Sequence, residues 1–301
     1  MAFRRKYVRR ARARTTRRSN RRSYVKKTRR YPKRRTTRKM STRAILNKSS
    51  QKKRDTMLSF TDVTAANPES GVFAQASAVM AGASASFFTF GWIPTARQAE
   101  DSTGAKGAKI DTATRTSHTI FARGVKENII LSTNSGASWE WRRICFTLKG
   151  SNYIDTIDPT TSDYFRLTSN GYVRLVTEIP DQDIFIPMFR GARDQDWIDP
   201  LNAAVNTDLA SIHFDKKRTI ASGNERGIIR SFKMWHPMNK NIVYQDEEDG
   251  DTMFTSALST TGRKGMGDYY IIDMFRCNNA QSDPADTLEF LPQATFYWHE
   301  K

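Results

Sequence analysis

The chain has 301 residues, with 49 Lys and Arg against 31 Asp and Glu, a formal net charge of +18 and 38% hydrophobic residues. No apolar run reaches the ~18 residues of a membrane-spanning helix, and the basic N-terminus lacks the apolar core of a secretory leader. It is also too dense in charge, over too long a stretch, to form the amphipathic helix of a mitochondrial transit peptide. The 17 Phe, 10 Tyr and 6 Trp still supply large core side chains, so a real core is expected beside a segment that adds nothing to it.

That segment comes first. Residues 1–54 hold 25 Lys and Arg and no acid, whereas residues 55–301 hold 24 basic and 31 acidic residues, a net of −7. The excess charge therefore belongs to the arm alone. Its cations Arg4, Arg5, Lys6, Arg9, Arg10, Arg12, Arg14, Arg17, Arg18, Arg21, Arg22, Lys26, Lys27, Arg29, Arg30, Lys33, Arg34, Arg35, Arg38 and Lys39 repel one another and carry little apolar area. Such a segment cannot offset the entropy cost of ordering, so 1–54 is expected to be a disordered arm until a polyanion neutralises it. A merely solubilising tail gains nothing from excluding acids; nucleic acid is the expected partner. Arg predominates, and its guanidinium fork can hold two phosphate oxygens at once. Binding of this kind is salt-sensitive and indifferent to base sequence. Phe3, Tyr7, Tyr24 and Tyr31 punctuate the run, where stacking on unpaired bases and an incidental placement are both open. Lys26, Lys27, Arg29 and Arg30 with Lys33, Arg34 and Arg35, and separately Lys52, Lys53 and Arg54, match nuclear-import signals, a pattern that any arm this basic meets easily.

From 55 to 301 the pattern changes to short apolar alternations between turn-forming residues. Period-two runs rich in β-branched and aromatic residues predict strands at 87–93, 117–131, 138–148, 171–179, 183–190, 209–221, 228–236, 240–245, 269–276 and 287–298. The best short helix candidates are 73–82 and 199–209. Long polar loops are expected near 94–116, 191–208 and 246–268. Many short strands with long excursions predict an all-β sandwich or jelly roll rather than a βαβ sheet. Cys145 and Cys277 both fall in apolar stretches and read as buried free thiols, a disulfide being the less favoured alternative.

Tests for catalytic chemistry return little. His118, His213, His236 and His299 are scattered without metal-ligand spacing and read as strand or interface residues. Gly262–Gly267 lacks the Gly-Lys-Ser/Thr ending of a phosphate cradle. The acidic run Asp246–Asp251 lacks the spacing of a helix-loop-helix calcium site and reads as a solvated loop, an ion site being the minor alternative. No enzyme activity, metal or cofactor is expected.

Specific strings then carry a resemblance. Ile45-Leu46-Asn47 with Lys52–Met57, Trp139–Phe146, Lys233–Lys240, Gly265–Asp268 and Tyr297–Glu300 resemble genomovirus capsid proteins, and the string Trp141–Phe146 also resembles the related geminivirus coat proteins. The resemblance implies a single eight-stranded jelly roll of two packed antiparallel sheets. It further implies self-assembly into a small icosahedral (T=1) shell around circular single-stranded DNA, and a life in the virion and the host nucleus. The implied partners are single-stranded DNA, further copies of the chain and host nuclear import receptors, with no membrane. Arg142, Arg143 and Arg174 lie on predicted strands, where inner-wall phosphate contacts and salt bridges with Glu140 or Glu178 are both open. Trp197, Met253 and Phe254 in the long loops are candidates for subunit contacts or for ordinary core. A cellular nucleic-acid-binding structural protein with a basic tail is the alternative reading, and an enzyme on a jelly-roll fold the remoter one.

Overall fold

The computed structural model describes residues 39–82, 88–149, 163–179, 188–278 and 285–301. These residues are mostly strand, so the all-β expectation holds. With strands numbered in chain order, one antiparallel sheet runs β1 (Gln51–Met57), β15 (Thr287–Glu300), β5 (Thr119–Thr133), β11 (Ile228–Val243). The short β3 (Ala78–Ala81) pairs the start of β15. A second sheet runs β10 (Ser211–Ile220), β6 (Trp139–Leu148), β14 (Asp268–Cys277), β4 (Phe88–Trp92). Three two-stranded pieces complete the framework: β2 (Ser59–Thr61) parallel to β9 (Arg174–Val176), β7 (Leu167–Thr168) with β8 (Gly171–Tyr172), and β12 (Glu247–Asp249) with β13 (Thr252–Phe254).

The residue patterns explain the layers. In β15 the even positions from Leu288 to Trp298 are buried while Glu289, Leu291 and Gln293 are exposed, as expected for a sheet wet on one side. Pro292 is tolerated in this central strand because it falls between the stretch paired with β3 (Thr287–Phe290) and the stretch paired with β1 (Ala294–Glu300). By contrast β6 and β14 are buried on both faces along most of their length. Alternate residues of these strands, such as Trp141 and Phe275 (stacked, 5.8 Å between ring centroids), face the first sheet across the core. The opposite face is covered by loop residues; Tyr164 meets Tyr270, and Phe189 and Trp197 join the same apolar cluster. One sheet is thus roofed over and the other open.

Several expectations change. Residues 78–81 form β3 rather than a helix, since Ala78 and Met80 alternate with less buried neighbours against β15, and 199–209 contain turns and one isolated bridge, Val205 to Phe189, but no helix. The runs 228–236 and 240–245 are one strand, β11, carried through a bulge between Pro237 and Lys240 where Asn239 takes φ 51°. The 183–190 run lies outside the described residues up to 187, and 188–190 form no strand. Secondary structure is present on the N-terminal side of Asp55 as well: α1 (Thr42–Ser49) precedes it and β1 straddles it. Cys145 and Cys277 form no disulfide, and Cys145 is buried but Cys277 only partly so.

The 94–116 segment is held by buried arginines. Arg115 donates to Asp246 through both terminal nitrogens (2.6 and 2.9 Å), to three backbone carbonyls, and lies 3.8 Å over the Tyr244 ring. Arg97 pairs with Asp55 at 2.6 Å, its guanidinium carbon 5.2–5.3 Å from the rings of Tyr172, Phe296 and Trp298. Burial pushes the Tyr172 hydroxyl up to about 12.

Candidate nucleic-acid interface

Arm residues 1–38, with 19 of its cations, lie outside the described residues, and so does the import cluster Lys26–Arg35. Lys39 is exposed. The second import cluster is placed differently from its expectation. Lys52, Lys53 and Arg54 sit in β1, with Lys52 and Arg54 exposed, but Lys53 is 2% exposed and pairs with Glu300 at 3.2 Å. Its ammonium also donates to the Thr114 carbonyl and Thr116 Oγ1. An ammonium paired in a strand is not offered to an import receptor, which corrects the assignment of Lys53.

The inner-wall arginines are also placed elsewhere. Arg143 (β6) and Arg174 (β9) are 1% exposed and lie in the core, facing Glu127 (β5) and Asp273 (β14) rather than Glu140 or Glu178. Arg143 forks onto Asp273 with two 2.7 Å bonds and reaches Glu127 at 2.5 Å. Arg174 spans the same two carboxylates at 3.1 Å each and stacks 4.3 Å over the Trp92 ring. Trp141 Nε1 donates to Asp273 at 2.7 Å, and His236 Nε2 lies 3.4 Å from Glu127. Two cations and two anions cancel. Burial alone would raise the Glu127 carboxyl, but the two guanidinium groups and His236 outweigh it and hold it well below the usual range. Arg142 points to the roofed face of its sheet, where Asp215 and the carbonyls of Pro200 and Ala203 take its donors. These three arginines hold the domain together, and the wall-contact expectation for them is withdrawn.

The open face of the β1–β15–β5–β11 sheet supplies what the sequence reading missed. Register places Lys52 beside His299, Arg54 beside Tyr297, and Lys126 between Thr295 and Trp235, with Lys233 one step along beside Asn128. Trp235 is 49% exposed, with its ring over Gly124 and 5.9 Å from the Tyr297 ring. A Cβ at Gly124 (φ 147°) would meet the Trp235 ring at 2.8 Å and the His236 carbonyl at 2.3 Å, so glycine permits both the bulge and the lie of the indole. Arg123 stands in that bulge, bonded to Asn239 at 2.7 Å and 6.0 Å from the Phe121 ring. Burial, Arg123 and Lys52 together depress the His299 imidazole. The signal lay in the sequence as basic and aromatic residues at the polar parity of strands, but their union needs the register.

Elsewhere the acidic run divides. Asp246 is taken by Arg115, with His118 Nδ1 at 3.5 Å, whereas Glu247, Glu248 and Asp249 are exposed on β12. Trp197 is buried against Phe189, so it is core; Met253 and Phe254 are exposed on β13. Asp268, at the head of β14, accepts bonds from Ser259 N and Oγ, yet burial prevails and raises its carboxyl from 3.8 to about 6. The folded chain thus holds this proton more tightly than the unfolded one. The associated stability is full below pH 3.8 and is lost as pH rises through 6. Asp268→Asn is therefore expected to gain about 2 kcal/mol relative to the parent between pH 4.5 and 7.5, read by urea unfolding at both values.

No family model matches the sequence, and no curated protein matches it.

Proposed function

We propose that the chain is a viral capsid subunit that assembles into a small icosahedral shell and packages single-stranded DNA through its basic arm. The observation that carries the reading is the arm: 25 cations and no acid joined to a folded domain with an excess of acids. Strand order supports the shell half of the reading. When the eight longer strands of the two sheets, β1, β4, β5, β6, β10, β11, β14 and β15, are counted from first to last along the chain, the sheets read 1-8-3-6 and 5-4-7-2. First pairs with eighth, second with seventh, third with sixth and fourth with fifth, the order produced by wrapping one long antiparallel hairpin into a jelly roll. Viral shell subunits use this architecture widely.

In a shell of about sixty copies the arms bring on the order of 1500 positive charges, which neutralise a comparable number of phosphates while released counterions drive packaging. Flexible single strands condense this way without the bending cost of a duplex. The exposed Met253 and Phe254 on the β12–β13 hairpin suit subunit contacts. The import cluster Lys26–Arg35 suits assembly in the host nucleus. Electron microscopy of the purified protein with single-stranded DNA tests the reading. Uniform closed particles are expected; monodisperse monomers at every salt concentration would overturn it.

A further inference from the structure

We propose that the open face of the β1–β15–β5–β11 sheet is a second binding site for single-stranded nucleic acid, with Trp235 and Tyr297 as base-stacking groups and Lys52, Arg54, Lys126 and Lys233 as phosphate contacts. The site deepens the packaging reading and rests on it for the identity of the polyanion.

Three observations lead there. The first is charge. Residues 42–301, which include β1, hold 29 basic and 31 acidic residues, a net of −2, yet this face carries Lys52, Arg54, Arg123, Lys126 and Lys233 against Glu289, a carboxylate set at the far end beside Ser132. Among the described residues none of Lys52, Arg54, Lys126 or Lys233 forms an ion pair. Unspent cations concentrated on one face of a domain with no net positive charge complement a polyanion.

The second is the aromatic content. A large indole half in water serves no core, and the neighbouring Tyr297 ring extends its surface at 5.9 Å. Base stacking needs a π-face beside cations that track the backbone, and it requires unpaired bases. A flat sheet carrying such rings is a known platform for single strands. Neighbouring strands lie about 4.8 Å apart and residues repeat about every 3.3 Å, so Lys126, across from Trp235, and Lys233, two residues from it, both lie within the reach of one or two nucleotides of the indole.

The third is exposure. The second sheet is buried on both faces, whereas here Lys52, Arg54, Thr56, Lys126, Asn128 and Lys233 are exposed. A second copy of the chain is the competing occupant, but four unpaired cations on an interface between identical subunits would face one another or be desolvated without partners, which is costly.

The test uses an internal reporter. Of the six tryptophans, Trp92, Trp139, Trp141 and Trp298 are at most 1% exposed and Trp197 is 9% exposed, so Trp235 is the one that acrylamide reaches. The full-length protein is titrated with a dT oligomer long enough to span arm and sheet, and in parallel with inorganic polyphosphate. The oligomer is expected to quench the exposed-tryptophan emission and protect it from acrylamide; polyphosphate, which has no bases, is expected to bind without doing so. The double variant Lys126→Gln/Lys233→Gln is expected to reduce the salt slope of log K by about 1.4 and to weaken dT binding roughly ten- to thirty-fold at 0.1 M salt. Tight dT binding with unchanged emission and an unchanged slope in the double variant would overturn the sheet site while leaving the arm reading intact. Emission already shielded from acrylamide before any DNA is added would assign the face to a second copy. No binding of dT at all would remove the packaging reading itself.

Discussion

Replacing Asp273 with Asn is expected to cost about 3–5 kcal/mol of folding stability, against near zero for the exposed Asp251→Asn. Asp273 accepts two bonds from Arg143, one from Arg174 and one from Trp141 in a fully buried site. The neutral amide keeps the shape but removes one of two anions. Two guanidinium ions then share Glu127 alone, and the amide's own N–H groups point at donors. The penalty is the desolvation of an uncompensated charge, which is several kcal/mol where water cannot reach. Since domains of this size are stable by about 5–15 kcal/mol, the change removes a large share of the margin. Guanidinium chloride unfolding reads it directly. A loss below about 1 kcal/mol would mean that water or a rearranged His236 takes over the anion's role. The cluster links β5, β6, β9 and β14, and so fixes the register of one sheet over the other in a way that apolar packing alone does less strictly.

The cluster also marks where the sequence was legible and where it was not. The sequence pattern identified β4, β5, β6, β10, β11, β14 and β15 nearly in full: β5 and β15, wet on one face, write their burial into every second residue, whereas β4, β6 and β14, buried on both faces, stand out by their β-branched and aromatic residues. The same parity contained the network. Glu127 stands between Val125 and Ile129, Arg143 between Trp141 and Cys145, and Asp273 between Ile271 and Phe275, each a charge at a core position of an otherwise apolar series. Read strand by strand, each looks like a lapse in the pattern. Only the packing of two sheets shows that the lapses meet and cancel. β1 was hidden for a different reason. Gln51–Met57 is mostly charged, so composition joins it to the arm, although Lys53, Asp55 and Met57 sit at alternate positions and find Glu300, Arg97 and the core respectively. The arm's charge was legible from composition alone, because a count of cations and acids needs no partner, and residues 1–38 lie outside the described residues. The open sheet face needed the opposite: residues 52, 126, 233 and 297 become one surface only through the ladders.

The boundary between arm and domain decides the second large effect. Removing residues 1–40 is expected to weaken dT binding at least a hundredfold at 0.1 M salt while the domain still unfolds cooperatively, because 20 cations leave and α1, β1 and every ladder remain. If even ten of those cations meet phosphate, they contribute about −7 to the slope of log K against log salt, at ~0.7 per contact on a single strand. The residual slope is expected to be about −3, set by the few cations of the open sheet face. Removing residues 1–54, the boundary that charge alone suggests, is expected to do something else entirely. It deletes four of the seven residues of β1, uncovers the ladder groups of β15 from Tyr297 to Glu300, and leaves Glu300 buried without Lys53. A bare sheet edge and a carboxylate without its counter-ion favour aggregation and instability. Loss of DNA binding in that shorter chain would therefore report misfolding, whereas the same loss in the 41–301 chain reports the arm. Full-strength binding by the 41–301 chain would move DNA recognition to the folded domain and sink the arm as its main determinant.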